Sequence, residues 1–166
     1  GEGAADKLTE EANDVNRQRN EITTVSNLAL QLYQWYVKHG HARNIKDEKG
    51  VREFFKQNLQ IDTTNLTGFY QMLYLYQSYC WYAFIRQDFL MYYRYSKKWV
   101  DLFNQEPLMI TVETGHYIKG LHNLLTANFD LRNFRKFDKY IARFERFTLS
   151  KPANQHDNFR MQAFVY

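Results

Sequence analysis

Residues 69–85, FYQMLYLYQSYCWYAFI, form the most aromatic stretch of the chain and carry no charged side chain. The stretch reads as a helix against which the rest of the chain packs, because uninterrupted apolar character points to a buried element. The uncharged run reaches back to Thr63 and is long enough to cross a bilayer, which takes about 20 residues. Its interior argues against that, since Asn65, Thr67, Gln71, Gln77 and Ser78 would sit at hydrocarbon depth among tyrosines, where amides and hydroxyls are unfavourable. A buried helix without membrane contact is therefore expected.

Working outward, only 7 glycines and 2 prolines punctuate 166 residues. This argues against a sheet with many tight turns and for long helices with short connections. The composition, 45% hydrophobic and 24% charged, is that of a globular chain. The net charge of +4 is mild, and both signs are interspersed. The single cysteine, Cys80, lies inside the apolar stretch, which excludes a disulfide framework and makes a buried residue of it rather than a nucleophile. The polar start GEGAADKLTEE is no signal sequence, and a cytoplasmic protein is expected.

The chain divides into helices by its apolar spacing. Leu8, Ala12, Val15, Ile22, Val25, Ala29, Leu32 and Tyr36 recur at steps of three, four or seven, which predicts one long helix closed by Gly40. Its first half, with Glu10, Glu11, Asp14, Arg17, Arg19 and Glu21, is hydrophilic enough to project or to pack on one side only. A shorter helix starts at an Asp47 cap and buries Val51, Phe54, Phe55 and Leu59. Thr64 or Asn65 caps the central helix, which ends near Arg86, and Asp88 caps the next, whose Tyr92, Tyr95, Trp99 and Leu102 face inward before Pro107. Thr111 starts a helix burying Tyr117, Leu121, Leu124 and Leu125. Asp130 starts one with the stripe Phe134, Phe137, Ile141 and Phe144, stopped at Pro152. A last helix over 154–166 has no terminator, so the chain reads as one helical-repeat domain of a longer protein.

Two internal echoes organise these helices. A shift of 42 places Asp88 over Asp130, Tyr92 over Phe134, Trp99 over Ile141, Tyr79 over Leu121 and Tyr117 over Phe159. A shift of 46 matches QLYQWY at 31–36 with QSYCWY at 77–82. Repeats of this length imply stacked helix pairs, here about 6–60, 65–104 and 111–148, followed by the unfinished helix.

Helix pairs with Tyr and small residues first, a short turn, an aromatic second helix and a closing proline at Pro107 and Pro152 resemble the tetratricopeptide type of helical repeat over about residues 20–166. The chain is similar to uncharacterised bacterial repeat proteins with a unit like RNEITTVSNLALQLYQWYVKHG and a later WVDLFNQEP-like unit. The period exceeds the usual 34 residues, and aromatics replace most of the small packing residues. The resemblance implies an all-α, right-handed superhelix of antiparallel helix pairs (an α-α solenoid) and a scaffold role in protein–protein interaction.

No phosphate loop, HExxH, calcium loop or nucleophile elbow is present. His39 and His41 flank Gly40 without a carboxylate at helical spacing, and His116 and His122 point in different directions on one helix. No metal, no cofactor and no enzymatic activity are expected. Because first helices of solenoid pairs commonly line the concave surface, equivalent positions off the core stripe form the expected partner-binding face: Gln31 and Trp35, then Tyr74, Gln77 and Trp81, then His116, Lys119 and Asn123. Their amides suit a peptide backbone, and Trp and Tyr suit its side chains. Equally, Trp35 and Trp81 suit gaps between neighbouring pairs. An alternative partner is RNA, on a ridge formed by Arg132, Arg135, Lys139, Arg143 and Arg146 opposite the phenylalanine stripe.

Overall fold

The computed structural model describes residues 1–150, and the expected helix over 154–166, with Phe159 and Pro152, lies outside them. The described residues hold α1 (Glu2–His39), α2 (Ile45–Asn58), a 3-10 turn (Thr63–Asn65), α3 (Phe69–Arg86), α4 (Phe89–Gln105), the single turn α5 (Met109–Val112), α6 (Thr114–Asp130) and α7 (Phe134–Ser150). No strand occurs among them.

The described long helices lie where apolar spacing places them, but several start at other residues than expected. Gly40 closes α1 at φ 71°, a left-handed conformation that glycine adopts without cost. Asp88 caps α4, its carboxylate accepting from Met91 N–H at 3.0 Å. Asp47, however, lies in the first turn of α2, and the cap is Asn44, whose Oδ1 accepts from Asp47 N–H at 2.9 Å. Gly68, not Thr64 or Asn65, precedes α3, because Asp62 holds those two residues in the 3-10 turn. Thr111 falls within α5, and α6 starts three residues later. Asp130 ends α6 rather than starting α7; the turn between them places Arg132 at φ 57°.

α3 packs extensively on α1 and on α4, α4 packs on α6, and α6 on α7. The sequential neighbours α3 and α4 meet in reversed order, Phe69 against Phe103 and Phe84 against Tyr92. α1 and α3 meet in the same order: Ser78 Oγ donates to Val25 O at 3.1 Å while Tyr36 packs on Phe84, so the two helices run alike. Lys136 and Arg143 of α7 likewise reach Tyr93 and Asn104 of α4 in rising order.

Three clusters of buried side chains form the core, and α3 contributes to every one. The largest joins Leu73 to Trp99 and Phe103 of α4 and to Leu121 and Leu124 of α6. The second sets Trp81, Tyr82 and Ile85 against Leu28 and Leu32 of α1 and Val51 and Phe55 of α2. Having neighbours on several sides explains the absence of charge between Phe69 and Ile85, since a charged group there has no route to water. Where α3 is half-buried, aromatic stacking fills the gap, as in Tyr79 on Tyr95 with centroids 4.2 Å apart and planes 7° from parallel. Gly120 fits under Trp99: a Cβ there would come within 2.7 Å of the indole. The indole N–H donates to His116 O at 3.0 Å.

Candidate functional site

α3 presents Tyr70, Tyr74, Gln77 and Trp81 at steps of four, three and four, which is one helical row. α6 answers with His116, Lys119 and Asn123, and Glu113 just before it extends that row. Tyr70 O–H donates to Glu113 Oε1 at 2.9 Å, Tyr74 meets His116 edge to face at 5.7 Å, and Gln77, Trp81, Lys119 and Asn123 line one small pocket. Tyr74 and His116, which are 42 residues apart, therefore face one another across the seam between α3 and α6. They are not displayed side by side on an open surface.

That geometry corrects part of the expected binding face. Gln77, Trp81, Lys119 and Asn123 are buried, between 0% and 7% exposed, and no partner can reach them without separating α3 from α6. Tyr74 and His116 are half-buried at the rim of the seam. Gln31 is half-buried on α1, and Trp35 packs against Phe54 and His39 with centroids 4.9 and 4.6 Å away. Trp81 is in contact with Tyr33 and Tyr36, so it does fill the gap between α1 and α3.

The seam pocket has a volume of about 10 Å³, the space of about one water, and Cys80, Phe84, Tyr92 and Trp99 complete its walls. Burial pushes the Lys119 ammonium down to about 8, with the nearby Cys80 thiol opposing the shift. Burial also pushes the Cys80 thiol up to about 12, against the opposing effects of a 3.6 Å contact with Ser96 Oγ and the Lys119 charge. A thiol held that far from ionisation is a poor nucleophile. His116 is lowered by burial and then by Lys119, so it stays neutral at pH 7. Both amide atoms of Asn123 lack a protein partner among the described residues.

The basic row on α7 is only partly a ridge. Arg132, Arg135, Lys139 and Arg146 are exposed. Arg143 turns inward, donating to Asn104 Oδ1 at 2.6 Å and to Tyr117 O–H at 2.7 Å, with its guanidinium over the Tyr117 ring. Lys136 is drawn to Tyr93 O–H at 3.0 Å. The phenylalanine stripe behind the row is shallow: Phe137, Ile141 and Phe144 are half-buried and Phe134 is 51% exposed.

A groove lined largely by polar residues was missed by sequence reasoning. It lies between the first half of α1 and the 3-10 turn, has a volume of about 570 Å³, and is lined by Asn13, Asn16, Arg17, Asn20 and Glu21 on one side and Ile61, Asp62 and Asn65 on the other. The asparagines Asn13, Asn16 and Asn20 recur at steps of three and four on one face. That spacing was the available signal, and it was hidden because amides carry no weight in an apolar periodicity. Asp62 fixes the opposite wall by accepting from Thr64 N–H at 3.0 Å, Thr64 Oγ1 at 2.5 Å and Asn65 Nδ2 at 2.6 Å. Those bonds, the Thr64 hydroxyl first, hold its carboxyl below the usual range, so it is charged at neutral pH.

No family model, curated protein or solved structure matches the chain. Among the described residues, no group of three or more His, Cys, Asp or Glu side chains is placed to hold a metal ion. No described helix is long and apolar enough to cross a membrane.

Proposed function

We propose that the protein is a non-catalytic, cytoplasmic helical-repeat scaffold, a right-handed solenoid of the tetratricopeptide type, that binds an extended peptide segment of a partner protein. The rising contact order of α1 with α3, of α3 with α6 and of α4 with α7 supports stacked pairs. The observation that carries the binding reading is the asparagine-lined groove. A side-chain amide offers one acceptor and two donor hydrogens, the same complement a peptide group needs. Asn13 and Asn20 are seven residues apart, about 10.5 Å along a helix, the length of about three residues of extended chain. Glu21 and Asp62 outweigh Arg17 in formal charge, so a basic residue in the peptide is favoured there.

The reading is tested by selecting peptides from a displayed library and measuring their affinity for the Asn16→Ala/Asn20→Ala variant. Both residues are exposed, so helicity is retained and affinity falls at least tenfold, about 1.4 kcal/mol. Selected peptides that bind the variant unchanged would place the site elsewhere, and an enrichment that yields none would remove the reading. RNA binding on α7 is the lesser alternative, because Arg143 is already engaged with Asn104 and Tyr117 and the row is broken there. A salt-sensitive RNA mobility shift abolished by Arg135→Glu/Lys139→Glu would restore it.

A further inference from the structure

The corner between α1 and α2 holds an open pocket of about 420 Å³, a size that suits a small organic molecule. Lys38 of α1, Arg43 of the turn and Lys46 of α2 line it, and Asp47 is the one carboxylate among the lining residues. The three cationic side chains are exposed, and none of them forms an ion pair or a hydrogen bond among the described residues. Asp47 is occupied locally, its carboxylate accepting from Arg43 N–H at 3.1 Å and its own N–H capped by Asn44. The other carboxylates of α2 do not cancel the charge. Glu48 turns to Arg52 and Arg86, and Glu53 lines a neighbouring surface with Lys49 and Lys56. Lys38 offsets part of the negative end of α1, which leaves Arg43 and Lys46 as the cations available to a ligand.

One wall of the pocket is aromatic. The Trp35 indole, packed on Phe54 and His39, lines it, and beside the indole edge stands Gly50. Gly50 lies inside α2, where glycine weakens a helix relative to alanine. Packing does not require it, because a Cβ there would meet Trp35 Cη2 and Cζ2 at an ordinary 3.9 Å. The missing side chain leaves the edge of the indole uncovered inside a cationic pocket. We propose that this corner binds the phosphate ester of a small ring compound, the class of a nucleoside monophosphate. Arg43 and Lys46 hold the phosphate, and the ring lies against Trp35 in the space over Gly50. A guanidinium fork and an ammonium suit dianionic phosphate oxygens, and a flat ring suits the indole. Trp35 lies about 21 Å farther along α1 than Glu21 of the peptide groove, so the site is separate from that reading and goes beyond it.

The test titrates the full chain with adenosine monophosphate, inorganic phosphate and adenosine by calorimetry. Adenosine monophosphate is expected to bind, less tightly as salt is raised, and phosphate and adenosine each to bind at least tenfold more weakly. Arg43→Gln/Lys46→Gln is expected to lower the affinity at least tenfold with helicity unchanged, since both side chains are exposed and the bond to Asp47 comes from the Arg43 backbone. Gly50→Ala separates the ligand from the fold. It is expected to raise the denaturant midpoint, as alanine strengthens a helix interior, while weakening adenosine monophosphate binding by roughly threefold or more. No binding of adenosine monophosphate overturns the proposal. So does phosphate or adenosine binding as tightly as the ester, an affinity indifferent to Arg43→Gln/Lys46→Gln, or a Gly50→Ala protein that binds unchanged.

Discussion

α3 and the first half of α1 are both helical, and they differ in nearly every other respect. α3 is uncharged from Phe69 to Ile85 and buries ten of its residues against α1, α2, α4 and α6. The first half of α1 carries charge on most sides and buries none. In α3 a polar side chain must find its partner inside the protein: Ser78 Oγ reaches both Val25 O and Tyr74 O, at 3.1 and 2.8 Å. In α1 the same kind of residue stays available, and Asn13, Asn16 and Asn20 line an open groove. Burial thus turns similar amide and hydroxyl chemistry into packing in one region and into a candidate binding surface in the other.

The contrast can be broken most severely at Trp99, which is fully buried between α4 and α6. Trp99→Ala is expected to destabilise by about 3–5 kcal/mol through the cavity it leaves, read from the denaturant midpoint. A loss below about 1 kcal/mol would mean that the α3, α4 and α6 core is far looser than described.

Lys119 sharpens the comparison, being a cation on the buried side. Its ammonium titrates at about 8 in the folded chain against an ordinary 10.5. The folded state binds fewer protons between those values, so stability from this group rises as pH climbs from 8 towards 10.5 and is lowest below 8. Lys119→Met is expected to remove that rise and to stabilise the protein at pH 7 by up to about 3 kcal/mol. Parallel stability–pH profiles for the two proteins would refute it.

Smaller effects bracket the two regions. Ser78→Ala removes a buried hydroxyl that bridges α1 and α3 and is expected to cost about 1 kcal/mol. Leu8→Ala, measured by urea unfolding, is expected to change stability by less than about 0.5 kcal/mol, because Leu8 is 67% exposed. A loss approaching that at Ser78 would show that the first half of α1 folds back on the body.

Much of the fold was legible because helical periodicity is a local property. The inward positions Val25, Leu32, Val51, Tyr92, Trp99, Tyr117, Leu121 and Leu124 are all buried as their spacing predicts. Helix starts were less legible because capping depends on which of several nearby polar side chains wins, as Asn44 does over Asp47. The candidate site was least legible. The 42-residue shift relates Tyr74 to His116 and Gln77 to Lys119 in sequence, yet such a relation says nothing about exposure.

The sequence by itself determined the helical character of the described chain and much of the core stripe of its buried helices, since these follow from 3.6 residues per turn. Only the tertiary structure decided which remaining faces are open. A helix's own periodicity fixes where a side chain points relative to its axis and leaves unstated which neighbours stand there. α3 has neighbours on several sides, so Gln77 and Trp81 became seam. The first half of α1 has only the 3-10 turn region beside one face, so its asparagines line a groove there and its leucine and valine face water.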